Sequence, residues 1–143
     1  MIVRPYARFQ STLPEDIIEN EEGLFVQPPG RSVADAVVEL FRELGCEVYF
    51  GPEPVLDIAW EIGVQAGGRN FRVGVNLVED YWFFIVNPSW LDKMLGRRPA
   101  AYLDLLRRFA QKLADDGRFS NVRWYVDRSE ADTAGASAPV EGR

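Results

Sequence analysis

Histidine is absent from all 143 residues, so the side chains left for chemistry are carboxylates, tyrosines, arginines and two lysines, Lys93 and Lys112. Serine and cysteine nucleophiles of the common kinds need an imidazole to take their proton, and zinc or non-haem iron sites draw on imidazole ligands; neither centre is expected. The nearest thing to an acid–base pair is Glu53 or Asp57 with Glu61, in and just beyond the turn-rich stretch FGPEPVLD. Two carboxylates take separate acid and base roles only where a pocket pushes their proton affinities apart, and the sequence defines no such pocket. The stretch PEDIIENEEG sets Glu15 and Glu19 one turn apart, but its spacing matches no oxygen-ligand calcium loop and reads as a solvated acidic face. Cys46, just after Gly45, reads as a small buried hydrophobe rather than a nucleophile. No catalytic residue, metal or cofactor is assigned.

Charge is unevenly placed. Residues 1–70 carry five arginines against twelve acids, whereas residues 71–143 carry eleven basic groups against ten. Within 93–123, Lys93, Arg97, Arg98, Arg107, Arg108, Lys112, Arg118 and Arg123 face only Asp104, Asp115 and Asp116. Such a patch can hold phosphate or an acidic partner, yet a net charge of −6 opposes general affinity for nucleic acid, which is not expected as a partner. The patch reads as a solvated helix face.

A chain that is 47% hydrophobic and 13% aromatic is too apolar to stay disordered. Its longest uninterrupted apolar run, Tyr81 to Val86, is far too short to cross a bilayer, so no membrane association is expected. The opening residues MIVRPYARFQ lack a basic region followed by an apolar one, and a single cysteine excludes an internal disulfide. The expected location is the cytoplasm.

These groups are positioned by two helices and a sheet. SVADAVVELFRELG predicts a helix over 32–44, begun by Ser32 as cap and ended at Gly45, with Val33, Val37, Leu40, Phe41 and Leu44 on one stripe. PAAYLDLLRRFAQKLADDG predicts a second over 99–116, whose stripe is Tyr102, Leu105, Leu106, Phe109 and Leu113. NPSWLDKMLGRRP predicts a short helix from Ser89, with Trp90 and Met94 capping the core. An antiparallel meander is expected over about 57–87, with further strands near 46–50 and 121–127. The fold class is therefore α+β, a two-layer sandwich with both long helices on one face. Residues 1–30 are expected to pack on the sheet or its edge, 31–128 to form the α+β domain, and 129–143 to be a flexible tail.

Turn chemistry sets the expected register. A Gly68–Arg69 turn pairs Gly63 with Gly74, and a Glu79–Asp80 turn pairs Asn76 with Phe83 and Gly74 with Ile85. Trp60, Ile62 and Val64 then share the core face with Phe71, Val73, Val75 and Leu77, and with Trp82, Phe84 and Val86. The other face carries a notch at Gly63 and Gly74 walled by Tyr81, Phe83 and Ile85, with Glu61 and Arg72 beside it. Glycine inside a strand commonly marks close approach by something else. Three covers are available: residues 1–30, whose Val3, Phe9, Ile17, Ile18, Leu24 and Phe25 have no other obvious home; a second copy of the chain as a possible homodimer; or a different protein or small ligand.

The expected function is a non-catalytic protein-interaction module, in a profile shared by adaptors, chaperones and toxin-neutralising immunity proteins. Its binding residues would be Glu61, Gly63, Arg72, Gly74, Tyr81, Phe83, Ile85, Arg123 and Tyr125, with Tyr49 near them, an aromatic-plus-arginine mix of the kind that dominates interface energetics. The alternative is a histidine-free small-molecule binder or enzyme using Glu61, Arg72 and Tyr81 around the glycine notch.

Overall fold

The computed structural model describes residues 1–56, 58–86, 94–95, 98–131 and 133–142. The helix expected from Ser89, with Trp90, and the carboxylate of Asp57 lie outside the described residues. Met94 lies within them and is largely exposed, so it does not cap the core as expected.

The elements in chain order are β1 (Ile2–Val3), β2 (Tyr6–Ser11), β3 (Ile18–Glu19), β4 (Phe25–Gln27), α1 (Arg31–Glu43), β5 (Glu47–Val55), β6 (Ala59–Ala66), β7 (Arg69–Val78), β8 (Asp80–Val86), α2 (Ala100–Asp115), β9 (Phe119–Tyr125) and β10 (Val140–Glu141). Six strands form one antiparallel sheet in the order β5-β6-β7-β8-β2-β9. Both helices pack on one face of it, giving the two-layer α+β sandwich. Their apolar stripes are the ones the sequence periodicity picks out: Val33, Val37, Leu40 and Phe41 of α1 and Leu105, Leu106, Phe109 and Leu113 of α2 are buried. Phe41 and Phe109 stack with ring centroids 4.6 Å apart where the helices meet. Cys46 is buried beside them, and burial pushes its thiol pKa up, away from nucleophilic character.

Helix α1 is capped differently from the expectation. Its first cap position is Gly30, at φ 94, which supplies no side chain. Asp16, itself at φ 56, reaches across instead and accepts hydrogen bonds from the Ser32 amide (2.9 Å) and the Ser32 hydroxyl. A carboxylate brought from outside the helix thus satisfies an amide that the helix leaves open.

The two hairpin turns decide which side chains face the helices. The β6–β7 turn is Gly67–Gly68, both at positive φ as a two-residue hairpin favours, so Ala66 pairs with Arg69. This moves the pairing by an even step relative to a Gly68–Arg69 turn, and the faces of β6 and β7 stay as expected. The β7–β8 connection is shorter by one residue: Val78 pairs directly with Asp80, leaving Glu79 alone at the tip at φ 64. An odd step reverses every side chain of β8. Tyr81, Phe83 and Ile85 point into the helical core, and Trp82, Phe84 and Val86 point away from it, the reverse of the expected assignment.

Residues 1–30 do not lie across the outer face. Strand β2 inserts into the sheet between β8 and β9, where Ala7 and Phe9 enter the helical core, while Ile17, Ile18 and Leu24 stay exposed around the small β3–β4 hairpin. Strand β9, whose place the sequence left open, is the edge beside β2. In place of a free tail after residue 129, Ala136 bridges to Trp124 with reciprocal hydrogen bonds of 2.8 and 2.9 Å, and β10 pairs with β1. Small residues such as Ala136 carry little burial of their own, but they let a backbone approach an open strand edge and pair with it.

Candidate functional site

The outer face is built from cross-strand rows. One runs Phe50, Gly63, Arg72, Val86 from β5 to β8; the next runs Glu61, Gly74, Phe84, Tyr6, Tyr125 from β6 to β9; a third runs Asn76, Trp82, Arg8, Arg123. Gly63 and Gly74 are therefore diagonal neighbours rather than partners, and each has its own occupant. A side chain at Gly63 would collide with the Phe50 and Tyr49 rings, and one at Gly74 with the Phe84 ring. The notch expected on this face is filled by the protein's own aromatics, Phe50 and Tyr49 at Gly63 and Phe84 at Gly74.

A strand irregularity prepares the β5 side of this surface. Val48 pairs with Val64 and Phe50 with Gly63, so Tyr49 is an extra residue in β5. The bulge brings the Tyr49 and Phe50 rings edge to face at 5.2 Å and 70°. Phe50 lies over Gly63, and the Arg72 guanidinium sits 4.6 Å from the Phe50 ring centre. Arg72 donates a hydrogen bond to the Glu61 carboxylate, and that bond is the first cause of its pKa lying above the ordinary arginine value. Tyr49 is 42% exposed and Val86 45%, so this half of the face is open.

The other half is covered. Trp82 and Tyr125, tilted together at 5.6 Å, are only 5% and 4% exposed although they lie outside the helical core. Arg8 and Arg128 approach the Trp82 ring at 5.7 and 5.3 Å. Arg8 also donates to Asp80 at 2.7 Å and to the Ala131 carbonyl at 2.8 Å; the Asp80 hydrogen bond is what chiefly raises its pKa. The Tyr125 hydroxyl donates to the Thr133 carbonyl at 3.2 Å.

Of the residues the sequence nominates, Glu61, Gly63, Arg72 and Gly74 come together on the open half. Arg123 is exposed on β9, and Tyr125 lies under residues 133–136. Tyr81, Phe83 and Ile85 do not belong: all three are buried on the helix side, for the parity reason given above. Phe50, Phe84, Tyr6, Trp82 and Arg8 take their place on the outer face, and none was nominated. The signal for Trp82 and Phe84 was the apolar run itself, which is as rich on one parity as on the other.

Of the candidate carboxylates, Glu53 and Glu61 lie within the described residues. Glu53 stands opposite Glu61 in the β5–β6 ladder, but Glu61 is tied to Arg72. No group of three metal-ligating side chains exists among the described residues. Of the basic residues near α2, Arg108 pairs with Asp104 and the Leu44 carbonyl, Lys112 with Glu43, and Arg118 with Asp116 and Glu39. No helix among the described residues is long and apolar enough to cross a membrane. No family model, curated protein or solved structure matches this chain.

Proposed function

We propose that this chain is a non-catalytic binding module of the cytoplasm, an adaptor-, chaperone- or immunity-like component that engages another protein through the open half of its outer sheet face. The observation that carries this reading is the preset assembly of Tyr49, Phe50, Arg72 and Glu61 beside the exposed Val86. Aromatic and arginine side chains supply most of the binding energy in protein interfaces, and those already held by neighbours lose less freedom on association. Here the bulge fixes the two rings, the missing side chain at Gly63 lets Phe50 lie flat, and Glu61 orients the guanidinium. The lone cysteine agrees with a reducing compartment.

Capture from the native host, followed by mass-spectrometric identification, tests the reading when wild type is compared with Tyr49→Ala and Arg72→Glu. Leu24→Ala, exposed on the separate β3–β4 hairpin, serves as control. Both face variants lose the partner at unchanged melting behaviour, and the control keeps it; a partner retained by both face variants would refute the assignment. Sedimentation of the same variants asks whether the partner is a second copy.

A further inference from the structure

The covered half of the outer face has the construction of a strand-addition site. Its wall is the open edge of β9, which offers the Trp124 amide and carbonyl, and its floor is Trp82 and Tyr125. Extended peptides bind such edges through main-chain hydrogen bonds, with alternate side chains setting the fit. The chain's own residues 133–141 occupy it. Ala136 pairs with Trp124, and the carbonyls of Thr133 and Pro139 accept from the Tyr125 hydroxyl and the Arg4 amide. Val140 packs on the core opposite Val3, and Glu141 pairs with Arg4 at 3.1 Å. Gly135 is at φ +66, and a side chain there would come within 2.8 Å of the Tyr125 ring and 2.9 Å of the Arg123 side chain.

We infer that this site is an exchange interface: residues 133–141 of a second copy seat on β9, Trp82 and Tyr125 in place of the chain's own, making a reciprocal dimer. A second copy is the occupant because the seat makes four separate demands. They are glycine at the left-handed position, a small residue beside Trp124, a carbonyl for Arg4 and an aliphatic beside Val3. An identical segment meets all four. In the segment between β9 and the seat, Val126, Asp127, Ser129 and Glu130 are exposed, so swinging out means opening one short turn at Arg128–Glu130 and releasing two contacts, Arg128 on the Trp82 ring and the Ala131 carbonyl on Arg8. Exchange then needs a hinge movement and no new contact, the usual route to a swapped dimer. At low concentration the chain's own segment wins, because its effective concentration is about millimolar. This interface is separate from the open half assigned to partner binding, so either can fail without the other.

The test uses full-length chains. Wild type and Gly135→Val are unfolded and refolded at micromolar and at millimolar concentration, then sized by light scattering. Wild type gives a slowly dissociating dimer only at the high concentration, and Gly135→Val gives none. A labelled peptide of residues 129–143 binds folded Gly135→Val at one per chain, at least tenfold more tightly than it binds wild type, whose seat is taken. Should Gly135→Val fail to fold, Val140→Asp breaks the same segment at its other end. The inference is overturned if wild type stays monomeric throughout, if the broken-segment variant dimerises equally, or if the peptide ignores the folded variant.

Discussion

The rings of Phe83 and Phe109 stack 4.4 Å apart with their planes only 8° from parallel, joining the middle of β8 to the middle of α2. Phe41 of α1 and Trp124 of β9 close on the same ring at 6.2 and 6.4 Å. One side chain thus ties the two helices to two strands, and a docking residue in its place would have left the core without a centre. Truncating it removes the transfer energy of a full aromatic and leaves a cavity that three rigid ring neighbours cannot close. Phe83→Ala therefore destabilises by about 3–5 kcal/mol, measured by chemical denaturation. Phe84→Ala, one residue along on the half-open face, costs clearly less.

Glu79 stands alone at the β7–β8 tip in the left-handed region, where a side chain costs energy that glycine avoids. Glu79→Gly raises stability by roughly 0.5–1 kcal/mol. Inserting one glycine between Glu79 and Asp80 creates the longer turn and reverses β8, driving Trp82 and Phe84 toward the helices. That insertion abolishes cooperative unfolding in calorimetry, whereas the substitution sharpens it.

Asp16 caps α1 from fifteen residues outside the helix start, and it does so at φ 56. Asp16→Ala removes the acceptor for the Ser32 amide and costs about 1 kcal/mol, the usual loss for a deleted helix cap. Asp16→Gly relieves the backbone while also losing the cap, so its cost is smaller. Urea midpoints of the two variants give the order directly.

Two tyrosines resist ionisation. Burial, with Glu15 and Asp16 adding to it, pushes the Tyr81 hydroxyl up to about 12; burial does the same to Tyr102, to about 12, while its hydroxyl donates to the Ile85 carbonyl at 3.0 Å. In the unfolded chain both ionise near the ordinary value of 10. Between those values the unfolded state releases protons that the folded state keeps, so stability is intact below pH 10 and falls as pH rises toward 12. Phenolate absorbance shows the folded chain ionising these two late, and Tyr102→Phe flattens the alkaline loss of stability. Equal alkaline sensitivity in the variant would contradict the assignment.

Near-neighbour periodicity determined much of this protein. The stripes of α1 and α2, the segments of β5 to β9 and the shared face of β6 and β7 follow from spacings of a few residues, because each helix or strand sorts its own side chains. Glu61, Gly63, Arg72 and Gly74 were found together for the same reason. The parity of β8 could not be read that way, since Tyr81, Phe83 and Ile85 on one side and Trp82, Phe84 and Val86 on the other are both apolar. Only the assembled molecule decides between them: the helices bury the first set around Phe83, while residues 133–136, the Phe50 and Phe84 rings over the two glycines, and strand β2 shelter the second face. Insertion of β2 beside β8 and seating of Ala136 on β9 join residues more than seventy and twelve positions apart, respectively. Such pairings are chosen by total burial and by the need to satisfy open backbone groups, neither of which is written in any local stretch.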